Sequence, residues 1–409
     1  MSEKMKVGCG ITGFVLLLIA GVVLVRSVSP EFPTPPAPKP LPSPNAYDYY
    51  LKATTQMVDS DDVLRMAFPN QTWTLAEKQE ILSDNKTALA TFRSGLGYEY
   101  ADPPRNRSNS NIISDYNKFR RFGYVIVLDG FVATQKGEWN RAANAYMDAI
   151  QFGVQIPRRA NFIASLSGKT IESAGRRNLG DAINHLSVTE MVALLKRWDA
   201  IDKQRTTLVD TLREQRYWYQ TALIEEYQGQ DNLGMSNTWG EKLTKDTKIL
   251  LYGKATIMKN LNTGFDEAIA NAEGAYGDRK PRKERDPFSD YMVSIFDSPV
   301  QMRSVANITF DTLLRTSLAL RVYLLEHGRY PSDLNALVTS GYLKTIPEDP
   351  FARNAPIGYR KEGAKYVLYS IGPDSKDDNG KPIDNPGKPN ERRLVKEESK
   401  GDIVDGITR

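Results

Sequence analysis

The sequence predicts an α+β protein on a membrane tether: one N-terminal transmembrane helix, a Pro-rich linker, a mainly α-helical bundle or solenoid-like domain, and a small C-terminal α+β module. Three observations carry this. Val7 to Val25 is an uncharged run rich in Leu, Val and Ile, and at about 1.5 Å per residue it spans close to a bilayer's hydrocarbon core. From Asn45 to Gly274 apolar residues recur at helical spacing almost throughout. Near the C-terminus two short β-patterned runs replace that spacing. The segments divide as 1–28 anchor, 29–45 Pro-rich linker, 46–277 helical domain, 278–298 charged linker and 299–409 C-terminal module.

Composition narrows the class. The 409 residues suffice for two or more domains. With 54 basic against 50 acidic residues the net charge is +4, and no long basic run with interleaved aromatics appears, so nucleic acid is not the expected partner. The single cysteine, Cys9, allows no intrachain disulfide, and the fold must hold by burial.

Lys4 and Lys6 precede the apolar run and Arg26 follows it, which favours an inside N-terminus. Val25-Arg26-Ser27 is a poor small-x-small cleavage site, so an uncleaved signal anchor is preferred to a cleaved signal peptide. Everything beyond Arg26 is then expected outside the cytoplasm, on a single span of a bacterial cytoplasmic membrane. Pro30 to Pro44 should be extended polyproline II with roughly 45 Å of reach.

In the helical domain the clearest unit is Tyr116 to Pro157. Tyr124, Leu128 and Phe131 mark one helix face, Lys136-Gly137 the turn, and Trp139, Ala142, Ala143, Tyr146, Ala149 and Ile150 the next face. The run from Gly137 to Ile150 resembles the second helix of a tetratricopeptide unit, but no clean 34-residue repeat recurs, so one antiparallel helical hairpin is expected. Further helices are expected over Phe162 to Ile183, Thr189 to Tyr227 with Ser187 as cap, and Lys242 to Glu273. Asp278 to Asp286 is a charge run holding a proline, expected as an exposed boundary.

The C-terminal module opens with an amphipathic helix over Phe310 to Leu325, stopped by Gly328. Pro331 and Ser332 should open a short helix, with Ser332 as N-cap. Ile357 to Arg360 and Lys365 to Ile371 should form a hairpin turning at Glu362-Gly363. Lys381 to Lys400 should be mobile, and Gly401 to Val404 a short edge strand that brings Asp402 toward the acidic loop.

The order Tyr323, Gly328-Arg329-Tyr330-Pro331, Asp349-Pro350-Phe351, Tyr366, Tyr369-Ser370, Gly372 and Asp374 resembles the globular part of the type II secretion major pseudopilins. The resemblance covers about the last quarter of the chain. Phe351 and Ala352 stand where that family usually has tryptophan and glycine. The family's filament-forming helix is here interrupted by the Pro-rich linker and the helical domain, and Leu18 stands where a prepilin has its glutamate. The resemblance implies a calcium ion in the loop after the last strand, held by the Ile371 carbonyl, Asp374, Asp377, Asp378 and Asp402. Hard oxygen donors crowd there between Gly372 and Gly380, but not in EF-hand register, since Pro386 stands where the bidentate glutamate belongs. A solvated acidic turn is the alternative.

Other chemistry is sparse. His185 and His327 have no metal-ligand spacing, and no G-x-S-x-G elbow appears. Ser167-Gly168-Lys169-Thr170 resembles the end of a P-loop, but Ile163 replaces the first glycine and the segment reads as helix. With no catalytic motif the chain is expected not to be an enzyme. The preferred reading is a membrane-anchored extracytoplasmic structural or interaction protein, meeting protein partners through its helical domain. The alternative is an extracytoplasmic enzyme or solute-binding protein using a groove in that domain. A deep apolar pocket with convergent polar groups would favour the alternative.

Overall fold

The structure is a computed structural model that describes residues 39–58, 73–104, 111–227, 253–296, 298–386 and 391–408. The expected span Val7 to Val25 and most of the Pro-rich linker lie outside these residues. Among the described residues, no helix is long and apolar enough to cross a membrane.

The described residues are 61% helical, with one small antiparallel sheet. Helices α1 (Ala46–Gln56), α2 (Leu75–Asp84) and α3 (Lys86–Gly95) lead into the long α4 (Asn111–Gln135) and α5 (Trp139–Gln155). Asn45 caps α1 by accepting from Tyr47 N–H, and its amide reaches the Ala101 carbonyl at 2.8 Å. Thr74 and Glu77 form a reciprocal capping box on α2. The expected hairpin is α4 and α5, turned at Gly137 with a left-handed φ of 72°. Tyr146 is the knob between them: its hydroxyl lies 3.0 Å from Thr134 Oγ1.

Helix α6 (Phe162–Ile183) begins and ends where the apolar pattern does. It crosses α5 with backbones in contact, because a Cβ on Gly153 would fall 2.5 Å from the Gly168 carbonyl oxygen. The helix expected over Thr189 to Tyr227 is instead two: α7 (Val188–Asp202), with a Ser187–Glu190 capping box, and α8 (Leu208–Tyr227). The break follows from a second box. Thr207 Oγ1 accepts from Asp210 N–H at 3.0 Å while the Asp210 carboxylate takes the Thr207 hydroxyl and N–H.

Helix α9 (Lys254–Glu273) pairs with α8. The segment 278–298, expected as a linker, carries α10 (Pro287–Ser294). Met292, Val293 and Phe296 there are buried with Phe265 and Leu261 of α9, so only the first half of the segment behaves as an exposed boundary. Helix α11 (Ser298–His327) is twelve residues longer on its N-terminal side than the pattern suggested. It lies across α6 and α7. Leu318 and Val322 of α11 share one core with Leu194, Leu195 and Trp198 of α7 and with Leu368 and Ile403 of the sheet. The last quarter of the chain is therefore packed onto the helical part through a common core.

A short α12 (Asn335–Thr339) starts later than expected, with Asp333 rather than Ser332 accepting from the Asn335 N–H. Strands β1 (Gly358–Glu362), β2 (Lys365–Ser370) and β3 (Ile403–Val404) run in the order β1-β2-β3, with Tyr359 opposite Leu368 and Ser370 opposite Ile403. The stretch expected to be mobile after the acidic loop is held at Ile383 and Val395, both buried in the shared core.

Candidate functional site

A cleft of about 270 Å³ opens where α5, α6, the start of α8, the end of α9 and α11 meet. Its walls are apolar: Val154, Pro157, Leu208, Val305 and Ile308. Its polar groups converge from distant sequence: Lys169 and Glu172 from α6, Arg205 before α8, Gln301 and Ser304 from α11. Apolar walls with a few converging polar groups are the usual character of a small-molecule site, and this volume falls just below the usual range of about 300–1,000 Å³.

Helical spacing places the polar groups. Lys169, Glu172 and Arg176 follow at i, i+3 and i+7 on α6, so all three face α11. Lys169 Nζ donates to Ser304 Oγ at 2.8 Å and makes no ion pair among the described residues. Arg176 Nη1 meets Asp311 Oδ1 at 2.7 Å, with both side chains 7% exposed. Arg205 bridges three carboxylates: Glu172 at 2.5 Å, Asp311 at 2.9 Å and Asp202 at 3.1 Å. Asp202 is also met by Arg315 at 3.3 Å.

Burial sets the protonation of these groups. It pushes Lys169 down to about 8, against a modest pull from Glu172. It pushes Glu172 up to about 8, aided by the Asp311 charge and opposed by Arg205. Burial opposes the charge on Asp311 too, but Arg176 and Arg205 outweigh it and hold that carboxyl below its ordinary value. Two acids share two arginines, so one keeps its charge while its neighbour holds a proton. Among the described residues that line the cleft, Lys169, Arg205 and Arg279 are basic and Glu172 alone is acidic, so a proton on Glu172 leaves the lining positive.

In the acidic loop expected to bind calcium, backbone N–H groups meet the carboxylates. Asp402 is fully buried, and its two oxygens accept from Asp378 N–H at 3.2 Å and Gly380 N–H at 2.6 Å. Asp374 and Asp377 each accept from a backbone N–H two residues on, at Lys376 and Asn379. Ile371 donates its N–H to Asp349, which also takes the Ser370 hydroxyl and the Phe351 N–H. Ser375, Asn379, Gly372 and Gly380 adopt the left-handed backbone that this tight path requires. Among the described residues, no three His, Cys, Asp or Glu side chains converge as metal ligands. The loop thus brings Asp402 to Asp378, as the sequence suggested, but as acceptor and backbone donor.

Sequence reasoning missed the cleft. Ser304 lies 135 residues from Lys169 and stands in no motif. The one signal was a lysine among small residues on an otherwise buried helix face, in the stretch that resembled a P-loop end. That stretch is mid-helix, with no phosphate-binding loop. His185 stacks on Trp139 with ring centroids 3.7 Å apart, and His327 bonds the Tyr323 carbonyl at the end of α11. Comparison with known proteins gives no match: no family model, no curated protein and no solved structure is significantly similar to this chain.

Proposed function

We propose that this chain is a membrane-anchored extracytoplasmic protein that binds a small ligand in the α6–α11 cleft. The ligand has an apolar body and an anionic or acyl head. The supporting observation is the pairing of apolar walls with a half-buried Lys169 that makes no ion pair among the described residues and bonds Ser304 in the cleft. A carboxylate head meets Lys169, while an alkyl chain lies along Val305 and Ile308. Octanoate is a suitable probe of this chemistry. In the full chain in detergent it should raise Tm in proportion to RT ln(1 + [L]/Kd). Ile308→Trp, which fills the cleft mouth from a side chain already 39% exposed, should remove the shift while leaving unliganded Tm within a few degrees. An equal shift in the variant would defeat the reading.

Calcium binding by a pseudopilin-like C-terminal part is the second reading. The observation that favours it is unrelieved negative charge: burial, with Asp377 and Asp378 nearby, pushes Asp402 up to about 6 despite two N–H donors. A cation that drew Asp374, Asp377, Asp378 and the Ile371 carbonyl inward would relieve that charge. It should raise the Tm of the full chain, and Asp378→Ala should abolish the effect. Identical melting in calcium and in chelator would leave the loop a hydrogen-bonded turn.

A further inference from the structure

We propose that Ser304 and Lys169 form a nucleophile–base pair that cleaves an ester or amide bond of a ligand held in the cleft. This rests on the ligand-binding reading of the same cleft and extends it to a reaction.

The geometry comes first. A buried mid-helix serine can satisfy its hydroxyl on the carbonyl four residues earlier. Ser304 makes no such bond to Val300; its partner among the described residues is Lys169 Nζ at 2.8 Å. That is the separation a nucleophile and its base require. Ser304 is 4% exposed but lines the cleft, so its oxygen is sheltered from bulk water and reachable by a bound ligand. Among the described residues Lys169 makes no ion pair with a carboxylate, and an ammonium without an ion pair in a partly apolar wall loses its proton more readily than one in water. Burial pushes it down to about 8, so a usable neutral fraction exists near neutral pH. Leu208 and Val209, the first residues of a 20-residue helix, also line the cleft. N–H groups of a first helical turn have no intrahelical acceptor and can meet developing negative charge.

The reaction balances within these groups and water. Neutral Lys169 takes the Ser304 hydroxyl proton as Oγ bonds to the ligand's carbonyl carbon. The carbonyl π pair moves onto oxygen. It returns as the bond to the leaving oxygen or nitrogen breaks, and the Lys169 ammonium protonates that leaving group. A water then attacks the acyl-serine, giving its proton to Lys169. Ser304 recovers the proton as the acid departs. One ester and one water give one acid and one alcohol.

The test is covalent labelling of the full chain in detergent with a fluorophosphonate, its site mapped by mass spectrometry, alongside hydrolysis of p-nitrophenyl butyrate. Ser304 should be labelled, with a rate that climbs with pH through an inflection near 8. Lys169→Met and Lys169→Arg should each slow labelling and hydrolysis on the order of 100-fold or more, as loss of a general base does. Ser304→Ala should abolish both. Octanoate should compete with the probe. Octanoate binding without labelling at Ser304 between pH 7 and 10 overturns the catalytic pair and leaves the cleft as a binding site. Labelling at Ser304 that is unchanged in Lys169→Met also overturns it. If octanoate fails to bind as well, the cleft reading falls with it. Circular dichroism of each variant distinguishes lost chemistry from lost fold.

Discussion

Glu172 and Lys169 sit one helical turn apart, yet burial drives them in opposite directions to the same value, about 8. The consequence for stability can be worked out by sign. Between its ordinary 4.5 and about 8, Glu172 holds a proton in the folded state that the unfolded chain has lost, so its contribution falls as pH rises. Between about 8 and its ordinary 10.5, Lys169 has lost a proton that the unfolded chain keeps, so its contribution rises. Together they predict a stability minimum near pH 8, with each limb no steeper than about 1.4 kcal/mol per pH unit. Asp402 and Asp405, both pushed up to about 6 by burial, add a fall that ends near that pH. The window from 6 to 8 therefore belongs to Glu172. Urea unfolding should show a negative slope there in the native chain and a flat one in Glu172→Gln, while Lys169→Met should flatten the alkaline limb instead. A slope between pH 6 and 8 that survives Glu172→Gln would contradict this protonation pattern.

The elements were legible in the sequence where one periodicity ran between strong caps. Phe162–Ile183 was read to the residue, and the Gly137 turn and the hairpin strands were found within one or two positions. The break between α7 and α8 was not, because a threonine–aspartate box inside a charged run breaks no apolar period. Helix α10 was hidden for a related reason: eight residues after a charge run with a proline give too short a pattern. Contact between helices is less legible still. The α5–α6 crossing depends on Gly153 and Gly168, where backbone meets backbone. Gly168→Ala should force the two helices apart and cost about 1–3 kcal/mol. Gly180→Ala, on the same helix but with only Leu314 near at 3.8 Å, should instead stabilise by about 0.5–1 kcal/mol through helix propensity. Equal effects by urea titration would show that the close crossing does not govern stability.

At the scale of the molecule, the cleft exists because α11 is laid across α6 and α7, so its groups come from both sides of a boundary drawn by composition. Binary patterning predicts which face of a helix is buried, not which other helix it will meet. That is why Ser304 was unremarkable in the sequence and Lys169 stood out only for a P-loop likeness, while the acidic loop, whose carboxylates are neighbours in the chain, drew the site assignment instead. The structure gives those carboxylates backbone partners and leaves the lysine facing a cavity. Hydrogen–deuterium exchange of the full chain with and without octanoate tests this most directly. The account predicts slowed exchange in three segments far apart in sequence, 165–172, 206–209 and 301–308, all of it lost in Ile308→Trp. Protection confined to other segments, or the same protection in the plugged variant, would contradict a ligand site at the α6–α11 seam.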